Sequence, residues 1–382
     1  MTAPPFRIPF NAPSFVGAET EYMAQAIEAG HISGDGSFSK RSEALLAEFL
    51  GAERVLLTTS CTHALEMAAL LLDIVPGDEV IVPSFTFVST INAFALRGAR
   101  PVFADIRPDT LNIDEAQLES LISDRTRVVL PVHYGGVGCQ MDVIDDIAAN
   151  YRIAIVEDNA HGLLGSFRGR QLGTFGTLAT QSFHETKNFT CGEGGALVIN
   201  DRSLVERAEI LREKGTNRSQ FFRGQIDKYS WVDIGSSYVP SDLLAAVLLA
   251  QLEQHDRIQQ KRQSIWQRYD TELRAWAAKE GVRTPFIPDD CQQSFHLYYL
   301  LLPTLSDRSA LIAHLRDRGI LAVFHYVPLH TSSMGLSFGG YAGQCPVAED
   351  LSDRLVRLPF YFNLSDENQG AVIEAITEFR CG

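Results

Sequence analysis

The feature that most constrains this chain is an alternation. From residue 54 to about 200, short apolar runs rich in β-formers trade places with stretches patterned as helices. "RVLLTTS" precedes "THALEMAALLLDI", and "GDEVIVPS" precedes "FVSTINAFALRG". "RPVFADI" leads into "DEAQLESLIS" and "TRVVLPVHY" into "MDVIDDIAAN", while "RIAIVEDNA", "TLATQSFH" and "GGALVIN" complete the series. The first runs show little apolar/polar alternation, as strands do when helices cover both faces of their sheet. Alternating strand and helix predicts an α/β fold with a mostly parallel central sheet covered by helices. Its chemistry is then expected at the carboxyl ends of the strands.

At 382 residues the chain is too long for one ordinary core. The pattern changes from Ser241, where "SDLLAAVLLAQLEQHDRIQQKRQSIWQRYDTELRAWAA" reads as one long helical stretch. A Pro- and Asp-rich loop, "GVRTPFIPDDCQ", follows, and then a smaller α+β unit built from "SFHLYYLLLP", "DRSALIAHLRDRG", "LAVFHYVPLH" and "DENQGAVIEAITEF". The expected division is a large domain over 1–255, including the N-terminal segment, and a small C-terminal domain over 256–382, linked through the long helix.

Net charge is −14 and no Lys/Arg block stands out, so nucleic acid is not an expected partner. A small phosphorylated ligand remains compatible with that balance, because backbone N–H groups and a few donors can hold it. No apolar run reaches the roughly 20 residues of a membrane helix. The start, "MTAPPFRIPFNAP", lacks a basic region followed by an apolar core. Six cysteines without a CxxC pair read as reduced thiols, and a cytoplasmic location follows as the expectation. His325 and His330 lack metal-ligand spacing and a matching carboxylate, so no metal site is expected.

Three strand ends carry chemistry. In "LLTTSCTHALEM", residues Thr59 to Thr62 stand between a strand and a helix, where free N–H groups and the helix dipole suit an anion. Taken alone, the same cluster reads as an N-cap. "IAIVEDNAHG" ends an apolar strand with Glu157, Asp158 and His161. A carboxylate there loses solvation unless it meets a cation or several donors, so a helix cap, an ion pair, or a counter-ion for a protonated heterocycle or a metal would each explain it. "SFHETKNFTCGEGG" places Lys187 one strand later, before a Gly-rich turn. A buried lysine loses its proton more easily, and only the neutral amine attacks a carbonyl. Anion cradle, carboxylate and lysine together match what pyridoxal phosphate (PLP) requires. Phe85, in "VPSFTFVSTINAF", stands near the cradle, where a flat side chain could stack on the ring, although core packing is the more frequent use of a Phe.

Assembled in this order, "SCTHALEMAALLL", "GDEVIVPSFTFVST", "PVFADIRPDTLNID", "VVLPVHYGG", "VEDNAHG", "SFHETKN" and "GEGGALVIN" resemble the PLP-dependent sugar aminotransferases of the DegT/StrS type, across nearly the whole chain. The resemblance implies the fold type I aminotransferase architecture. It implies that Lys187 binds the cofactor covalently, that Asp158 pairs with the ring nitrogen and that His161 lies near the 3-oxygen, where relatives often have Gln. It puts Phe85 on the ring and Cys61, Thr62 and Ser182 on the phosphate. Many relatives complete the phosphate site with an Asn of the partner subunit, and here Ser237 stands at that place in "GSSYVPSD". A homodimer with its active site at the interface is therefore implied.

Within the family, "REKGTNRSQFFRGQIDKYSW", "DIGSSY" and "FHYVPLH" resemble members that aminate C4 of a nucleotide-linked keto sugar with L-glutamate. Expected substrate residues are Gly34 in the loop at 34–36, Arg218 and Arg223, and His325, Tyr326 and His330. The related sugar dehydratases replace the lysine with histidine, so the presence of Lys187 argues against them. A non-catalytic sensor finds no basic patch or extra domain to support it.

Overall fold

The computed structural model describes residues 6–382. Its strands in the first half are β1 (Arg54–Thr58), β2 (Glu79–Pro83), β3 (Arg100–Ala104), β4 (Thr126–Val129), β5 (Ala154–Asp158), the short β6 (Ser166–Phe167) and β7 (Arg170–Gln171), β8 (Leu178–Ser182) and β9 (Gly195–Ile199). Seven of them form the central sheet in the order β1-β9-β8-β5-β4-β2-β3. Only β9 runs against the others, pairing antiparallel with both β1 and β8. The expected mostly parallel α/β sheet is present.

Its two faces are covered as the missing polar alternation implied. Val80, Val82, Val128, Val156 and Leu178 point into one core with the helix Cys61–Leu71. The residues between them, Ile81, Val129 and Ile155, point into another with Ile144 and Ile147 of the helix Met141–Tyr151. Successive side chains of a strand face opposite ways, so covering both faces demands an apolar residue at every position. Each such Val or Ile contributes about 1.5–3 kcal/mol by leaving water.

The long helical stretch is two helices, Asp242–Glu253 and His255–Glu280, which meet at Gln254. Ser241 caps the first by accepting from the Leu244 N–H. The second bridges two cores. Ile258 packs with Leu57 and Leu248 of the large sheet's flank. Ile265, Tyr269 and Leu273 pack with Leu300, Leu311 and Val356. The small C-terminal unit contains β11 (Tyr299–Leu301) and β12 (Leu355–Arg357), paired antiparallel. Before it, β10 (Cys291–Gln292) pairs with β6, stitching the Pro/Asp loop to the large sheet's periphery.

One grouping differs from expectation. The sequence groups the start of the chain with the large domain, yet Ile8 is fully buried in the C-terminal core and forms a parallel bridge with Ile320. A short apolar segment carries no signal of which core will receive it. Here the donors and acceptors of the segment at Gly319–Leu321 decide.

Candidate active site

The carboxyl ends of β1, β5 and β8 open on a cavity of about 810 Å³. Its wall brings together Cys61, Thr62, Asp158, His161, Ser182 and Lys187 from the large domain, and His325, Tyr326 and Arg357 from the C-terminal part. Parallel pairing of β5 with β8 sets Asp158 opposite Thr180, so the carboxylate and the turn after Ser182 emerge side by side.

Each group is held by its own local structure. Ser60 caps the helix Cys61–Leu71 by accepting from the His63 N–H. The N–H groups of Cys61 and Thr62 make no hydrogen bond among the described residues. They leave the positive end of an 11-residue helix facing the cavity. Gly195 explains part of the Gly-rich turn. A Cβ there would meet the backbone N of Cys61 at 2.3 Å, so the glycine lets β9 pass directly behind the cradle.

Asp158 is nearly buried, accepting from Thr90 Oγ1 at 2.8 Å on one oxygen and from the Ala160 N–H at 3.2 Å on the other. These donors fix the carboxylate and part-compensate its desolvation. The turn bearing Lys187 is tied across the domains. Asn188 Nδ2 donates to the Ser294 carbonyl at 2.7 Å, and its Oδ1 lies 2.9 Å from His296 Nδ1. His296 in turn stacks on His161 with ring centroids 4.1 Å apart.

Electrostatics favour an amine that can react. Burial lowers the Lys187 amine from its ordinary 10.5 to about 8, and Arg357 lowers it further while Cys61 and Asp158 act the other way. Burial, with help from Asp158, pushes the Cys61 thiol up to about 12, so at neutral pH it is uncharged. His161, His296 and His325 are all held well below the usual histidine value, chiefly by burial, and face the cavity as neutral imidazoles.

The lysine shift has a testable consequence. In the ligand-free protein, capture of PLP by Lys187 is expected to speed up as pH rises to about 8 and then level off, whereas an ordinary lysine keeps gaining towards 10.5. Stopped-flow absorbance across pH reads the midpoint. The folded pKa lies below the unfolded one, so the same group costs stability below pH 8. That cost is relieved as pH rises from 8 to 10.5, where the unfolded chain binds the proton and the folded chain does not.

Similarity to known proteins agrees with this geometry. The DegT/DnrJ/EryC1/StrS aminotransferase family model matches residues 14–377. The chain belongs to that family. This aminotransferase is 34% identical over 379 residues to the spore coat polysaccharide biosynthesis protein SpsC of Bacillus subtilis (strain 168), covering 97% of this chain and 96% of the relative. Among solved structures, the aminotransferase TlmJ from Streptoalloteichus hindustanus superposes with a TM-score of 0.88 at 31% identity over 98% of both chains. Spr1654 from Streptococcus pneumoniae, in its PLP form, superposes at 0.89 with 27% identity, over 97% of this chain and 98% of that one.

The cofactor of this aminotransferase is PLP. The residues present fit it: an amine near its reactive pKa, an anchored carboxylate and unbonded helix N–H groups share one cavity.

Several expected residues lie elsewhere. Phe85 is 1% exposed and packs against Tyr134, His325 and Tyr326 behind the wall. Of the two phenylalanines in "SFTF", the one on the cavity is Phe87, two residues on and 56% exposed. His330 is fully buried, with Nδ1 2.5 Å from Ser84 Oγ and Nε2 2.8 Å from Glu349, and it ties the segment after β2 to the C-terminal part. Gly34 packs so closely that a Cβ would meet Val239 Cγ1 at 2.0 Å, and it does not line this chain's cavity. Arg223 pairs with Glu209 at 2.7 Å and Arg218 lies over the Phe222 ring, both outside the cavity. Ser237 is exposed and bridges Glu213 through its backbone. Thr90, His296 and Arg357 went unnoticed in the sequence. An arginine inside the apolar run "LVRLPF" was the available signal for the last.

Proposed function

We propose that this aminotransferase moves the amino group of L-glutamate to C4 of dTDP-4-keto-6-deoxy-D-glucose. The products are 2-oxoglutarate and dTDP-4-amino-4,6-dideoxy-D-galactose. The observation that carries the reading is Lys187, with its lowered pKa, on the same cavity wall as the anchored Asp158. The choice of sugar rests on the motif resemblance of "REKGTNRSQFFRGQIDKYSW", "DIGSSY" and "FHYVPLH".

In this reading the helix start at Cys61 and Thr62, with Ser182, holds the cofactor phosphate, and Phe87 takes the stacking role first given to Phe85. When bound, PLP supplies an electron sink for the carbon that loses or gains a proton. Asp158 keeps a proton on the ring nitrogen, and its two donors stop it turning away. Lys187, released as a neutral amine, carries the proton between the donor's α-carbon and the cofactor side, then the reverse for the keto sugar. The neutral imidazoles of His161 and His325 offer hydrogen bonds without adding positive charge beside that amine.

A homodimer completes the site in this proposal. Gly34, Arg218, Arg223 and Ser237 fall outside their own chain's cavity, and the segment around them exposes Phe222, Trp231 and Val232. The partner's copies would meet sugar, diphosphate and phosphate. The location proposed is the cytoplasm, in keeping with six free thiols.

The fate of the nitrogen tests the function. With ¹⁵N-labelled L-glutamate and the keto sugar, NMR of the nucleotide product is expected to show ¹⁵N at C4 in the axial position. Label at C3, or an equatorial amine, sinks the substrate assignment while sparing the aminotransferase.

A further inference from the structure

Arg218 and Arg223, expected to meet a diphosphate or the donor carboxylate, lie outside this chain's cavity, yet a third arginine lines it. Arg357 ends β12, and its backbone is fixed on both sides, paired with Tyr299 and bridged to Val323. Its guanidinium lies 4.7 Å over the Phe10 ring, and Nη2 donates to the Phe324 carbonyl at 3.2 Å. Its Nε is buried with no acceptor, and no carboxylate pairs with it among the described residues. Burial lowers its pKa, with Tyr134 and Tyr326 acting the other way. A desolvated guanidinium with spare donors is costly unless a ligand repays it.

We infer that Arg357 binds a carboxylate of the amino-acid donor. This rests on the donor being an amino acid, as proposed above. The two substrates differ where they react. The donor carries a carboxylate on its reacting carbon, whereas the reacting carbon of the keto sugar sits in a neutral ring. Arg357 lines the same cavity as Lys187, His161 and His325, and its charge acts on all three. The two acidic residues on the same wall do not compete for it: Asp158 is held by Thr90 and Ala160, and Glu193 faces His184 at 3.7 Å. The planar fork matches one carboxylate, with Phe10 and the Phe324 carbonyl holding it in place.

The experiment compares wild-type holoenzyme with Arg357→Gln and Arg357→Lys. Calorimetric titration with glutarate, a dicarboxylate without an amine, reads binding alone. Single-turnover absorbance then follows each half-reaction, with glutamate on the PLP form and keto sugar on the pyridoxamine form. Losing one charge-assisted pair is expected to weaken glutarate affinity and raise the KM for glutamate about 10- to 100-fold in Arg357→Gln, with partial recovery in Arg357→Lys. The keto-sugar half-reaction is expected to lose far less, only what a higher Lys187 pKa removes, and raising the pH should restore it. Equal glutarate affinity in wild type and Arg357→Gln overturns the inference. Equal damage to both half-reactions also overturns it, since that marks a structural role. A wild type that binds glutarate through Arg357 yet releases no 2-oxoglutarate from glutamate supports the anchor and overturns glutamate as the donor.

Discussion

Lys187→Ala is expected to lower release of 2-oxoglutarate from glutamate by about 10⁴-fold, the upper end of what a positioned proton-transfer group contributes. In the proposed mechanism the loss combines the covalent anchor and the proton carrier in one side chain. Asn188 and its contacts to Ser294 and His296 still hold the turn, so the cavity keeps its shape. The thermal midpoint should hold or rise, because the variant no longer desolvates an amine. A coupled assay for 2-oxoglutarate, read beside a melting curve, separates lost chemistry from lost folding. Turnover at the wild-type rate would remove Lys187 from the mechanism.

Asp158→Asn removes one charge and little else. The amide oxygen can still accept from Thr90 or from the Ala160 N–H, and the residue is only 6% exposed, so the end of β5 keeps its packing. In the proposed mechanism, what disappears is the anion that keeps the ring nitrogen protonated. Turnover is expected to fall by roughly 10²–10³, the range for deleting one preorganised electrostatic partner. The absorbance of bound cofactor should also shift as its protonation changes. A variant with unaltered spectrum and rate would assign Asp158 to structure alone.

How far the sequence revealed this site varies with the distance over which each residue is determined. Asp158 ends β5 and Lys187 follows the neighbouring β8, so local pattern and motif order suffice to place them on one cavity. The choice between Phe85 and Phe87 is not local. Beyond Pro83 the strand period no longer applies. Ser84 is bound to His330, 246 residues away, and Phe85 turns in against Tyr134 while Phe87 faces the cavity. His330 was read as a substrate residue for the same reason, since nothing near it in sequence announces Ser84 and Glu349. Gly34 reads as a ligand loop because glycine permits close approach, and within its own chain that approach is made by Val239 and Pro240. Arg357 was missed because its neighbours are apolar and the run reads as a core strand, which β12 is up to its last residue.

The most direct test of the account is the covalent link itself. Holoenzyme treated with borohydride, digested and mapped by mass spectrometry is expected to carry the reduced cofactor on the peptide containing Lys187, with loss of yellow colour and of activity together. Reduced cofactor on any other lysine, or none retained on the chain, would contradict the assignment of Lys187 as the anchor.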